Sequence, residues 1–284
     1  MSQINSSAIG KFRALHESGC FVLPNPWDAG SAIYLEHLGF KALATTSAGF
    51  AFSKGLADGP ASVSRDMMLE HFREIAAATS LPVNADFQNG YGDDPDVVAA
   101  NVARCIATGV AGLSIEDTTG DSATPLYDFD LAVARIKAAR ATIDAATEAE
   151  RSRVFLTARC EAWLVGDPDP LRTALERLVA FAEAGADCLY APGVGKTEEI
   201  SQIVKAVTPK PVNVLVSKFN HELSLSQLAD LGVRRISVGS ALACVAWNSF
   251  IRAAQSIAET GSFGELAGAV SFSEINSLFL TRFN

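Results

Sequence analysis

PVNADFQNGYG, residues 82–92, is the stretch on which the reading of the fold turns. A short run of small and β-branched residues that stops at an acid and breaks into a glycine-rich turn reads as a buried strand, 83–87, carrying Asp86 at its carboxy end. The design recurs at 112–117, GLSIED, where the next strand, 112–116, closes on Glu116 and Asp117. Two neighbouring parallel strands would bring hard oxygen ligands to one mouth, and such ligands suit Mg²⁺ or Mn²⁺ better than zinc.

Working outward in both directions, the same unit repeats. A first helix, 8–17, precedes a compact strand at 20–25 (CFVLPN), a helix at 31–38 and a second strand at 42–47. That strand runs into the small-residue turn Ser47-Ala48-Gly49, where backbone N–H groups can approach a ligand. A long polar and glycine-containing loop, 50–63, holds Asp58 and leads to a helix that Ser64 can cap, ending at 79. Further strands are predicted at 154–159, 188–191, 212–216 and 235–238, with helices at 96–108, 129–146, 171–184, 198–207, 226–231 and 242–259. Several helices end at a Gly a few residues before the next strand. Eight strand–helix units predict a single (β/α)₈ TIM barrel over 1–284. The doubly wound open sheet is the alternative, but no GxGxxG follows the first strand. A helix around 272–279 has no ninth unit to cover, so the C-terminal helices, 241–284, are expected at a subunit interface.

The bulk composition excludes several classes of function. At 284 residues and 49% hydrophobic the chain can bury one large core. With Lys and Arg at 23 against 32 acids and a formal charge of -9, non-specific nucleic-acid binding is not expected. Five cysteines without a CxxC pair, and an amino terminus without a charged-then-apolar pattern, predict a cytoplasmic protein with reduced thiols. No run approaches the ~18 apolar residues of a membrane span.

In such a barrel, chemistry lies at the carboxy ends of the strands. Those positions are Asn25, Ser47, Asp86, Glu116, Arg159 and Pro192, with Asn213 inside a short strand. Arg159 ends a nearly all-apolar run, where an unpaired charge is costly, so it should meet a carboxylate of the protein or of a substrate. Asp86 and Glu116 either hold a metal or simply pair with Arg159 and cap helices. Glu161 reads as a partner that orients Arg159. The four histidines and five cysteines read mainly as packing residues, with Cys160 the thiol nearest the mouth.

Taken together these residues resemble the isocitrate lyase and phosphoenolpyruvate mutase superfamily, from NPWDAGSAIYLEHLGFKALATTSAG to the eighth strand. The family's Ser-Gly turn resembles Ser47-Ala48-Gly49 and its loop aspartate Asp58. Its D-x-D-x-G-Y-G motif is similar to Asn84-Ala85-Asp86 with Asn89-Gly90-Tyr91-Gly92. Its metal-linked Glu resembles Glu116, its Ala-Arg segment Ala158-Arg159-Cys160-Glu161, and its β7 Asn Asn213. The resemblance implies Mg²⁺ (or Mn²⁺) at Asp86, Asp58 and Glu116. It implies a small carboxylate bound by Ser47, Ala48, Gly49, Arg159 and Asn213, with Arg159, Asp58 and Glu116 catalytic. It also implies paired barrels that exchange carboxy-terminal helices, hence a homodimer or homotetramer.

Three departures stand out. Asn84 replaces the first acid of the metal motif, two residues are inserted before Gly-Tyr-Gly, and the lyases' cysteine-bearing loop reads here EDTTGDSATPLYDFD. The expectation is a Mg²⁺-dependent lyase that cleaves a C–C bond of a small 2-oxo or hydroxy dicarboxylate through an enolpyruvate-type intermediate. Tyr127 or a loop water is the candidate proton donor. The rivals are P–C chemistry near Thr118 and Thr119, an oxaloacetate-type decarboxylase, and an oxo-acid-binding barrel without turnover.

Overall fold

The computed structural model describes residues 6–146, 153–217 and 220–280. Among them, α1 (Ser6–Leu15) is followed by eight strand-then-helix units. The strands are β1 (Phe21–Leu23), β2 (Leu43–Ala44), β3 (Val83–Asp86), β4 (Gly112–Glu116), β5 (Phe155–Arg159), β6 (Cys188–Tyr190), β7 (Val212–Leu215) and β8 (Arg235–Ser237). The connecting helices are α2 (Ala29–His37), α3 (Ser47–Ser53), α4 (Arg65–Ala78), α5 (Pro95–Ile106), α6 (Phe129–Ala146), α7 (Pro170–Glu183), α8 (Thr197–Val207) and α9 (Leu225–Asp230). The chain ends in α10 (Ala241–Thr260), a short 3₁₀ turn (Gly264–Gly268) and α11 (Phe272–Leu280). Every strand pairing is parallel, in the order β1-β8-β7-β6-β5-β4-β3-β2. The barrel closes between β1 and β2 without a ladder. Ala44 N–H donates to Pro24 O at 3.0 Å, and the Asn25 amide ties the end of β1 to both neighbours, donating across the seam to Thr45 O and accepting from Val238 and Gly239 N–H beyond β8, each at 2.9 Å.

Local chemistry explains the element boundaries. Ser64, Asp94 and Ser224 accept a backbone N–H at the starts of α4, α5 and α9, and Asp28 does the same for α2. Buried residues recur every three to four positions on α5 (Val98, Val102, Cys105), α6 (Ile136, Ala139, Ile143) and α7 (Ala174, Leu178, Phe181), which pack around the sheet. One element departs from expectation. The loop predicted at 50–63 begins as helix, because Thr46 accepts the Gly49 N–H at 3.2 Å and starts α3 at Ser47.

The interior of the barrel is more polar than the branched aliphatic filling usual for this architecture. Asn84, Ser114, Thr157, Asn213, Arg235 and Ser237 are all buried there. Arg235 reaches from β8 across the lumen to the Thr157 hydroxyl of β5, at 3.0 Å. Below this layer α1 seals the amino end: Phe12 stands edge-on to Phe155, and the His16 ring stacks on Phe155 with centroids 4.0 Å apart. Burial and the Arg235 charge hold His16 well below its usual pKa, so it is neutral packing.

Candidate active site

A cavity of about 210 Å³ opens at the carboxy ends of the strands, on the order of seven waters in volume. Its centre is the Arg159 guanidinium. Nη1 lies 2.8 Å from Asp86 Oδ1 and 2.8 Å from Glu116 Oε1, and Nε donates to Glu161 Oε1 at 2.8 Å. The strands deliver these groups in adjacent register, since Glu116 pairs with Arg159 across β4 and β5. Of the partners expected for Arg159 the protein itself supplies carboxylates, while Nη2 makes no hydrogen bond to the described residues. Burial opposes the guanidinium charge, but Glu116, Glu161 and Asp86 outweigh it and hold the Arg159 pKa well above its usual value. The acids respond oppositely. Burial pushes Glu116 well above the carboxylate range and Glu161 up to about 7, in spite of Arg159.

The start of α3 contributes next. Ser47 N–H donates to Asp86 Oδ2 at 2.9 Å, and the Gly49 N–H is taken by the Thr46 cap. Of the three backbone amides expected to face a ligand, only that of Ala48 makes no hydrogen bond to the described residues, and Ser47 and Ala48 line the cavity. Gly49 serves packing instead: a Cβ there would lie 2.6 Å from Thr46 Cγ2 and 3.1 Å from Trp27 Cβ. Asp58 returns over the mouth and lines the cavity with Ser47. Burial and the nearby Asp86 raise its pKa.

A buried brace holds this arrangement. Asp117 accepts the Glu161 N–H at 2.8 Å and pairs with Arg177 at 3.1 Å, and Arg177 also donates to Tyr127 O at 2.7 Å. The Tyr127 hydroxyl donates to Asp93 at 2.5 Å and accepts from Asn89, outside the cavity, so Tyr127 is not placed as a proton donor to a ligand there. Thr118 and Thr119 donate to Pro125 O and Thr124 O within their own loop, away from the cavity lining. Pro192 also lies off the lining. The strand ends two residues earlier, at Tyr190, whose ring carries the Arg159 guanidinium 4.9 Å from its centroid. Asn213 lines the cavity, but both ends of its amide are engaged, with Ser237 and Arg235. Cys160 is buried with its thiol pKa pushed well up by burial, and Cys244 is exposed on α10. Tyr190, Ser237 and Arg235 are among the cavity residues the sequence reading passed over, with Thr45, Ser114 and Ser240. The available signal for the first three was their inward period on strands predicted one residue too long.

The donor chemistry fits a divalent cation. Four carboxylates (Asp58, Asp86, Glu116, Glu161) line the cavity with two guanidiniums (Arg159, Arg235), an excess of two acids when all are ionised. Among the described residues no three His, Cys, Asp or Glu side chains already surround an ion position. Mg²⁺ commonly uses only one or two carboxylates and keeps several waters, so Asp86 and Glu116 suffice in kind.

Comparison with known proteins follows the same lines. A sequence profile of the family described as phosphoenolpyruvate phosphomutase matches residues 12–258. A Burkholderia cenocepacia J2315 crystal structure, provisionally a lyase/mutase, is 46% identical with a TM-score of 0.91, over 98% of this chain and 97% of that one. The oxaloacetate decarboxylase of Chromohalobacter salexigens is 32% identical over 81% of this chain and 78% of its own. A phosphonopyruvate hydrolase solved with oxalate and Mg²⁺ is 25% identical, with a TM-score of 0.83, over 97% and 96% of the two chains. With its eight-stranded barrel, its Arg159-centred acidic mouth and this match over most of its length, the chain belongs to the phosphoenolpyruvate phosphomutase family, within the isocitrate lyase and phosphoenolpyruvate mutase superfamily.

Proposed function

We propose that the protein is a Mg²⁺-dependent lyase that cleaves a C–C bond of a small 2-oxo or hydroxy dicarboxylate, leaving an enolpyruvate-type product. The observation that carries this reading is the guanidinium of Arg159 held among Asp86, Glu116 and Glu161 at the mouth of a metabolite-sized cavity. Arg159 orients the substrate carboxylate with the N–H groups that its carboxylate partners leave free. The Ala48 N–H offers a hydrogen bond to an oxygen on which negative charge grows, where preorganised donors do most for a barrier. Asp86 and Glu116 would hold the ion, with Asp58 nearby, and the ion supplies Lewis-acid stabilisation of enolate charge when bound.

Oxaloacetate is the substrate the relatives favour, since its decarboxylation is itself a C–C cleavage that yields the enolate of pyruvate, and a decarboxylase covers most of the chain at 32% identity. P–C chemistry is the second reading, favoured by the phosphonopyruvate hydrolase that shares the fold at 25% identity. The test is a panel of oxo acids, hydroxy acids and phosphonates assayed for pyruvate, CO₂ and phosphate release, with Mg²⁺ and with EDTA. Metal-dependent cleavage of an oxo dicarboxylate is expected. Phosphate release from phosphonopyruvate alone would replace the reading with P–C hydrolysis, and binding without turnover of any compound would make the protein a non-catalytic oxo-acid-binding barrel.

A further inference from the structure

The polar floor of the barrel is a directed chain of hydrogen bonds, and its direction is fixed by one residue. Arg235 is buried, with no carboxylate partner among the described residues; its Nε donates to Asn213 Oδ1 at 2.9 Å. A guanidinium has donors only, so the oxygen of the Asn213 amide must face it and the nitrogen must point onward. That nitrogen donates to Ser237 Oγ at 2.9 Å. With Oγ accepting there, the Ser237 proton is directed to Tyr190 Oη at 3.5 Å, a long contact of the kind that tightens when a ligand fills a site. Three donations in one sense leave the Tyr190 hydroxyl proton with no protein acceptor among the bonds described, on a side chain that lines the cavity beside Arg159.

Resting on the lyase reading above, we propose that Tyr190 is the catalytic acid that protonates the enolate carbon, and that Arg235, Asn213 and Ser237 are positioning residues that polarise its hydroxyl. The proton leaves Oη as the enolate's electron pair forms the new C–H bond. The enolate oxygen returns to a carbonyl, and the phenolate regains a proton from water after the product departs. A chain of donors that begins at a buried cation stabilises negative charge at its far end, which is where this step puts it. Burial pushes the Tyr190 phenol up to about 12 despite Arg159, so it keeps its proton through the neutral range until a stronger base is formed beside it. The role fits a chain whose fourth-strand loop has no cysteine and whose Tyr127 hydroxyl is turned toward Asp93.

Deuterium exchange into the methyl group of pyruvate, followed by NMR in D₂O with Mg²⁺, reads this proton transfer without breaking a C–C bond. Tyr190→Phe keeps the ring and removes only the hydroxyl. It should slow exchange on the order of 10²-fold or more while binding oxalate and Mg²⁺ as wild type, which reports an intact fold. Ser237→Ala should slow exchange roughly 3- to 10-fold, the worth of one hydrogen bond, and Ser237→Thr, which retains a hydroxyl, should restore it. Equal exchange in wild type and Tyr190→Phe, including none in either, overturns the assignment. Failure to cleave any oxo or hydroxy acid while exchange persists and still depends on Tyr190 would remove the lyase reading instead and leave the acid in place.

Discussion

At the scale of single residues, Arg159 stands among more carboxylates than one guanidinium can neutralise. Arg159→Ala loses the substrate carboxylate's partner, so kcat/KM should fall on the order of 10²-fold or more. Asp86→Ala should abolish turnover with the fold kept, because Asp86 sits at the mouth and not in the packed wall. The acids also predict a pH dependence. Glu161 titrates at about 7 in the native state, against about 4.3 in an unfolded chain. The native protein therefore binds more protons than the unfolded one between those values, and stability is greatest below the lower value and lost as pH rises through the upper. Chemical denaturation without metal should show stability falling from about pH 5 to pH 7; Glu161→Gln should flatten that fall, and millimolar Mg²⁺ should raise the midpoint more at the higher pH. An unchanged slope in the variant would remove Glu161 as its source. Asp86, Glu116 and Arg159 were legible in the sequence because each ends an apolar run, where a charge is conspicuous. Tyr190, Ser237 and Arg235 were harder to place, since the period of a short strand tells which residues share a face but not which face looks inward until the strands are closed into a ring.

At the scale of elements, the eight units were legible because helices such as α4, α5 and α7 carry a 3.6-residue apolar stripe, because α2, α4, α5 and α9 begin at a capping side chain, and because strands buried on the outer face read as short apolar runs. The helix α3 escaped for a physical reason. SAGFAFS has weak intrinsic preference, and its start depends on the Thr46 side chain capping Gly49 and on the Ser47 N–H finding Asp86 on the next strand. Packing between elements gives a sharper prediction at Gly112, the first residue of β4. A Cβ there would stand 2.7 Å from Phe12 Cε1, 2.7 Å from Asn84 Oδ1 and 3.1 Å from Phe155 O, so α1, β3 and β5 all close on that point. Gly112→Ala should cost about 1–3 kcal/mol in denaturant unfolding, with the cavity chemistry little altered. A neutral effect would mean that α1 yields more readily than its buried ring stack suggests.

At the scale of the whole molecule, the carboxy-terminal helices stand apart from the barrel. Only Ala243 of α10 is buried, whereas Val245 is 65%, Phe250 61%, Phe263 66% and Phe272 83% exposed. We propose that a second copy covers this face, as expected from the chain's apolar tail, since so continuous an apolar surface marks an interface. Light scattering at micromolar concentration should report a dimer or tetramer, and truncation after Gly261 should lower both assembly and solubility; a monomer of ~30 kDa at every concentration would refute it. The seam between β1 and β2 has a different consequence for the same molecule. Among the described residues, seven strand junctions are stitched by ladders and the eighth by one backbone bond and the Asn25 amide's donation to Thr45 O, the same amide being held from the β8 side by Val238 and Gly239. The barrel is thus a hoop with a clasp, and Asn25 is the pin. Hydrogen exchange in Asn25→Ala should quicken at Ala44, Val238 and Gly239 while the amides between β4 and β5 keep their protection. Breathing would then enter the molecule from this one side, beside α3 and the mouth it helps to build.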